Sequence, residues 1–162
     1  MLDGAPRDPL QSIDEQHGQI SEWAAQVRAS AAFAAGQLGL EQVARLSRFY
    51  RGMVLPHFRY EERYLFPALL VVCGSSSLRE RLAAITAEHD ELRLRIEILL
   101  SDLDSLASPG RSEALERATI RRAQLTIDRL MEHAAAEDAL LLPLLERHGA
   151  GVRAVLGSAP GN

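Results

Sequence analysis

Two of the five histidines in this 162-residue chain are followed four places later by a glutamate: His57 by Glu61 and His133 by Glu137. On a helix, residues at i and i+4 share a face with Cβ atoms about 6 Å apart, so each imidazole and its carboxylate can reach one metal ion or an adjacent pair. Inward-facing His/Glu pairs of this kind are how helical bundles build di-iron carboxylate sites. The spacing alone is a modest signal, because 14 residues are glutamate and a chance match is expected for about one histidine in twelve.

What lifts the pairs above chance is that they lie in a duplicated passage. From His57 and from His133 the chain reads H-x3-E-[ED]-x2-L-[FL]-P-x-L, with Leu65 matching Leu141, Pro67 matching Pro143 and Leu69 matching Leu145. A second passage is repeated around two further histidines: Ile13 to Ile20, centred on His17, resembles Ile85 to Leu92, centred on His89. His17 and His89 lie 72 residues apart, and His57 and His133 lie 76 apart. The chain is a doubled helical hairpin, and an approximate two-fold axis would set two equivalent ligand sets face to face.

Four long helices must position these residues. Apolar residues at helical spacing predict the first from about Pro9, with Asp8 as N-cap, to Gly36 and the second from about Glu41 to Val72. The third is predicted from about Leu78 to Leu106, with the serines after Cys73 and Gly74 offering its N-cap, and the fourth from about Ser112 to His148, ending at Gly149. Residues 150–162 read as a loose tail or one short turn. Pro56 should kink the second helix or free a carbonyl. No alternating apolar run bounded by hairpin signals supports a strand. The fold class is therefore all-α, an antiparallel up-down-up-down four-helix bundle as one domain over residues 1–149.

Composition excludes several functions. A net charge of −4 with scattered basic residues, all 18 of them arginine, argues against a nucleic-acid surface, which needs a basic patch. The longest apolar runs fall far short of the roughly 20 residues that cross a bilayer, so no membrane span is expected. The absence of a basic region followed by an apolar stretch at the start reads as a cytoplasmic location. One cysteine, Cys73, allows no internal disulfide and no zinc site by itself.

The order H, H-x3-E, H, H-x3-E on four helices, with the flanking E-[ED]-x2-L-[FL]-P context, resembles the hemerythrin-like (HHE cation-binding) domain family over about residues 10 to 148. The resemblance implies two non-haem iron ions, oxo- or hydroxo-bridged. His17 and His57 would be terminal ligands of one iron and His89 and His133 of the other, with Glu61 and Glu137 bridging. Each iron would then have five ligands and one place left for a small molecule: dioxygen, nitric oxide or peroxide. The outcome would be sensing, detoxification or iron handling, with a di-iron oxidase or a peroxide- or NO-reactive activity among the possibilities. The chain departs from oxygen-carrying members, whose third helix bears His-x3-His: Arg93 stands four places after His89. On the fourth helix Asp138 offers an alternative ligand in the oxygen-carrier register, although the repeat favours Glu137.

The competing reading is a structural or interaction bundle in which a metal only stabilises the fold. The remaining residues read blandly. His148, at a helix end, is structural or solvent-exposed; Tyr60, Tyr64 and Phe66 are packing; Trp23 is core or hairpin surface. Met53, Ile13 and Ile85, one turn before their histidines, would keep the site apolar, and Thr86 could hydrogen-bond to a ligand. Arg79 to Arg81 and Arg93 to Arg95 look like solvated faces, with Glu91 and Arg95 paired.

Overall fold

The computed structural model describes residues 9–30, 37–109 and 112–158, which form four helical stretches and, among the described residues, no strand. Helix α1 is Pro9–Ala29, α3 is Ser76–Ala107 and α4 is Glu113–Ser158. Between α1 and α3 lies α2, residues 40–73, a run of consecutive helical segments. No helix among the described residues is long and apolar enough to cross a membrane.

The cause of each helix is a stripe of inward residues at alternating steps of four and three. In α3 the buried positions include Leu78, Leu82, Ile85, His89, Leu92, Ile96, Leu99, Leu103 and Leu106. Such a stripe keeps one face against neighbouring helices, and His89 occupies a place where the pattern alone would put a leucine. In α1 the same stripe runs Ile13, His17, Ile20, Ala24, Val27. The helix ends at Ala29, short of the Gly36 expected from sequence; residues 31–36 and the expected cap Asp8 lie outside the described residues.

In α2, wide turns at Tyr50–Val54 and Glu61–Leu65 precede Pro56 and Pro67, with the N–H groups of Leu55 and Phe66 donating five residues back to Tyr50 and Glu61. A proline lacks an N–H and crowds the carbonyl four residues before it, and a widened turn relieves both problems. Pro67 thus disturbs the helix as Pro56 was expected to. Pro143, its counterpart by repeat, is carried inside α4.

The α2–α3 corner is built by Gly74, at φ +38°, whose N–H caps the Leu70 carbonyl, and by Ser75, whose side chain accepts from the Leu78 N–H at 3.1 Å. The left-handed conformation favours glycine, and a serine N-cap satisfies an otherwise orphaned N–H. At the head of α4, Ser112 accepts likewise from Leu115. The fourth helix does not stop at Gly149 but continues to Ser158. Its last turns are held because Val152 is fully buried, and because Gly151 lets the chain approach Val72 so closely that an added Cβ would lie 3.1 Å from that side chain. His148 is consequently a half-buried residue inside α4 rather than a helix-terminal one.

The apolar interior falls into two bodies. One contains Ile20 of α1, Val54 and Phe58 of α2, Leu92 of α3 and Leu130 of α4. The other contains Ile13, Leu65, Ile85 and Leu141 of the same helices. His17, His89 and His133 fall between them along their helices, as Glu61 does on α2 one turn after His57, and together they form a polar waist.

Candidate metal centre

Each of the four helices delivers one buried histidine to the waist: His17, His57, His89 and His133 are at most 4% exposed. Glu61 and Glu137 are fully buried among them. The Nε2 atoms of His17 and His57 stand 3.0 Å apart. Glu61 reaches His57 at 3.3 Å through Oε1 and His89 at 3.5 Å through Oε2, so one carboxylate touches both halves of the repeat. Glu137 does the same, with Oε2 at 3.4 Å from both His17 and His133 and Oε1 at 3.7 Å from His89. Possible ligand atoms of His17, His57, Glu61 and Glu137 all lie within 4.8 Å of one another, as do those of His89, His133 and Glu137.

The opposite edge of every imidazole is fixed from outside. Nδ1 of His17 meets Asp138 at 2.5 Å, that of His57 meets Gln16 Oε1 at 2.6 Å, that of His89 meets Glu62 at 2.8 Å and that of His133 meets Glu88 at 2.9 Å. Since each of these oxygens can only accept, each Nδ1 donates its proton outward, and in a neutral ring the Nε2 lone pair faces the waist. This is the outer support that metal-binding histidines use to set tautomer and orientation. His89 is further clamped by Phe58, stacked at 4.1 Å between centroids, and by Phe66 at 6.0 Å. Arg93 reaches Glu62 at 2.8 Å while lying over the Phe58 ring.

The centre fits a cation on its own chemistry. Both oxygens of Glu61 and of Glu137, and the Nε2 atoms of His89 and His133, are buried without a hydrogen-bond partner. Leaving such groups unpaired costs several kcal/mol each, whereas a cation draws on all of them at once. A separation of 3.0 Å also suits two nitrogens bound at right angles to one ion roughly 2.1 Å away.

The electrostatics of these side chains show the same strain. Burial and the neighbouring charge of Glu137 push the Glu61 carboxyl well above the usual range. Burial opposes ionisation of Glu137 too, but the imidazoles of His133, His17 and His89 hold it well below that range. Although burial works against them, His17 is raised by Glu137 and Asp138, and His133 by Glu137 and Glu88. His57, which has only an amide at Nδ1, is lowered to about 3 by burial and by the charge of His17.

All six residues singled out from sequence are thus brought together, and of the two acids on α4 it is Glu137 that faces the waist while Asp138 stands outside on His17. Ile13 and Ile85 are buried in the apolar body on one side and Met53 packs against the other. Trp23 stacks on Phe49 at 3.5 Å, Tyr64 is exposed, and Tyr60 is half-buried. Thr86 is a correction: its hydroxyl donates to the Leu82 carbonyl and not to a ligand. The sequence reading also missed Arg93, taken as a solvated side chain, and the supporting roles of Gln16, Glu62, Glu88 and Phe58. Position was the available signal, since Gln16 and Glu88 precede the odd-helix histidines, Glu62 and Asp138 follow the two glutamates, and Arg93 lies one turn after His89.

No curated protein and no solved structure matches the chain. A family model, the hemerythrin HHE cation binding domain, matches residues 8–152, a span that contains all six waist residues and their outer partners. With four buried histidines and two buried glutamates gathered at the waist of four helices, the chain belongs to the hemerythrin HHE cation-binding domain family.

Proposed function

We propose that this protein holds two non-haem iron ions and uses their open positions to bind or react with a small diatomic or oxidant, namely dioxygen, nitric oxide or peroxide. His17 and His57 would hold one ion, His89 and His133 the other, and Glu61 and Glu137 would bridge them. The observation that carries this reading is the double reach of each carboxylate, which touches imidazoles from both halves of the repeat. An up-down-up-down arrangement of antiparallel neighbours is supported by the order of cross-helix pairs. Arg51 pairs with Asp104 and Glu62 with Arg93, while Asp102 pairs with Arg122 and Glu88 with His133, so residues advance along one helix as they retreat along the next.

Bound iron would supply Lewis acidity and readily exchanged electrons. The chain's part is to orient and exclude. Four outward Nδ1 donors keep lone pairs turned inward, the two apolar bodies limit water at the waist, and two carboxylates offset the cations' charge. A low-dielectric surround strengthens each of these interactions.

The experiment is iron quantification on protein expressed in iron-replete medium, with absorption spectra recorded anaerobically and then with oxygen, nitric oxide or peroxide. Close to two irons per chain and a rapid spectral change are expected. One zinc and no iron would overturn the reading. Two irons inert to all three reagents would favour a metal that only stabilises the fold, a reading to which the near-complete burial of the six side chains also lends support.

A further inference from the structure

The two-fold repeat allows each residue around the waist to be compared with its counterpart, at offsets of 72 residues on the odd helices and 76 on the even ones. Glu62 and Asp138 correspond, and both are acids bound to a histidine on the preceding or following half. Gln16 and Glu88 also correspond, but one is a neutral amide at 2.6 Å from His57 and the other a carboxylate at 2.9 Å from His133. The symmetry is broken again at Phe58 and Phe66, which flank His89 and whose counterparts are Ala134 and Leu142, and at Arg93, whose counterpart is Ser21. All three departures favour the same side, the one formed by His89 and His133.

Their chemistry points one way. A carboxylate at Nδ1 draws the ring proton outward and makes Nε2 a stronger donor to a cation, whereas an amide oxygen does so more weakly because its hydrogen bond carries no charge assistance. The stacked rings and the Arg93 to Glu62 contact hold His89 in one orientation, and a ligand already fixed in place loses less freedom when a metal arrives.

We infer that the two metal positions are held unequally, that the position formed by His17 and His57 is the weaker and more exchangeable one, and that Gln16 is the positioning residue that makes it so. This rests on the two-ion reading above. The His89/His133 position retains its ion while the His17/His57 position fills last and empties first.

The test is an anaerobic titration of chelator-treated full-length protein with cobalt(II), followed by calorimetry and by visible absorption. The wild type is expected to bind two ions in steps separated by about 10- to 100-fold in affinity, the usual effect of an outer partner. His133→Ala should abolish the tighter step and His57→Ala only the weaker. Gln16→Glu, isosteric with the native side chain, should tighten the weaker step and bring the two together, and Glu88→Gln should weaken the tighter one. Two steps in which His57→Ala removes the tighter, or which Gln16→Glu leaves unchanged, would overturn the proposal while leaving the two-ion reading standing. A wild type that binds a single cobalt or none would remove the two-ion reading itself and the inference with it.

Discussion

Replacing Glu61 by glutamine should separate the stability of this bundle from its capacity for metal. Glu61 is fully buried, neither oxygen has a hydrogen-bond partner, and burial with the charge of Glu137 raises its carboxyl well above the ordinary value of 4.5. A carboxyl raised in the folded state favours folding while protonated, so its contribution is lost as pH climbs from the ordinary value toward the raised one. The loss runs at ~1.4 kcal/mol per pH unit and so amounts to at most about 3.5 kcal/mol by pH 7. Glutamine imitates the protonated acid and cannot ionise. Chelator-treated Glu61→Gln should therefore be more stable than wild type at pH 7 by up to that amount, with the gain shrinking to under about 1 kcal/mol at pH 5. In the same variant the loaded centre loses an anion that reaches both ligand sets, and iron should bind at least about 100-fold more weakly, worth ~2.7 kcal/mol. Urea unfolding of the metal-free proteins at the two pH values, with iron content measured alongside, decides the matter. A variant equally destabilised at pH 5 and pH 7, or one that keeps two tightly held irons, would refute the reasoning.

Three further outcomes are expected. Glu137→Ala should release or scramble both ions, while Asp138→Ala, which removes only the partner of His17 Nδ1, should keep the metal and loosen it; elemental analysis after dialysis showing the reverse would place the α4 ligand at Asp138. Metal uptake near pH 7 should release protons and strengthen as pH rises, because Glu61, His17 and His133 hold protons above their ordinary values on atoms that a metal would take; calorimetry in buffers of different ionisation enthalpy that finds no proton release would contradict this. Phe58→Ala should cost about 3–5 kcal/mol of stability, since the ring is fully buried against His89, and a shift of the urea midpoint corresponding to under 1 kcal/mol would show that the clamp is not needed.

The six waist residues could be read from sequence because metal chemistry needs particular side chains at particular helical phases, and the duplication displayed those phases twice. His17 and His89 carried no glutamate partner, yet the matching passages around them marked them out. What stayed hidden depended on contacts between helices. Glu62 differs from an ordinary surface acid only because α3 brings His89 to within 2.8 Å of it, and Arg93 reads as solvated until Glu62 and Phe58 are beside it. The end of α4 was misjudged for a related reason. Gly149 and Gly151 are stop signals in isolation, but the burial of Val152 and the closeness of Val72 outweigh their weak helix preference. The wide turn before Pro67 was not expected, and the shared motif does not decide it, since Pro143 in the same motif lies inside a continuous helix.

The polar waist also bears on how the bundle comes apart. Two apolar bodies are threaded by the same four helices and meet at a layer whose members repel or desolvate one another when no cation is present. Cooperativity between distant parts of a protein passes through contacts that favour one common state, and here that layer is the joint. A cation held there would bind the helices together at one level, and the bundle would gain a reason to open as a single unit. Without it, the two bodies would become separate regions of local stability on shared backbones, so that loading would be felt at both ends of a molecule whose cation site lies at neither.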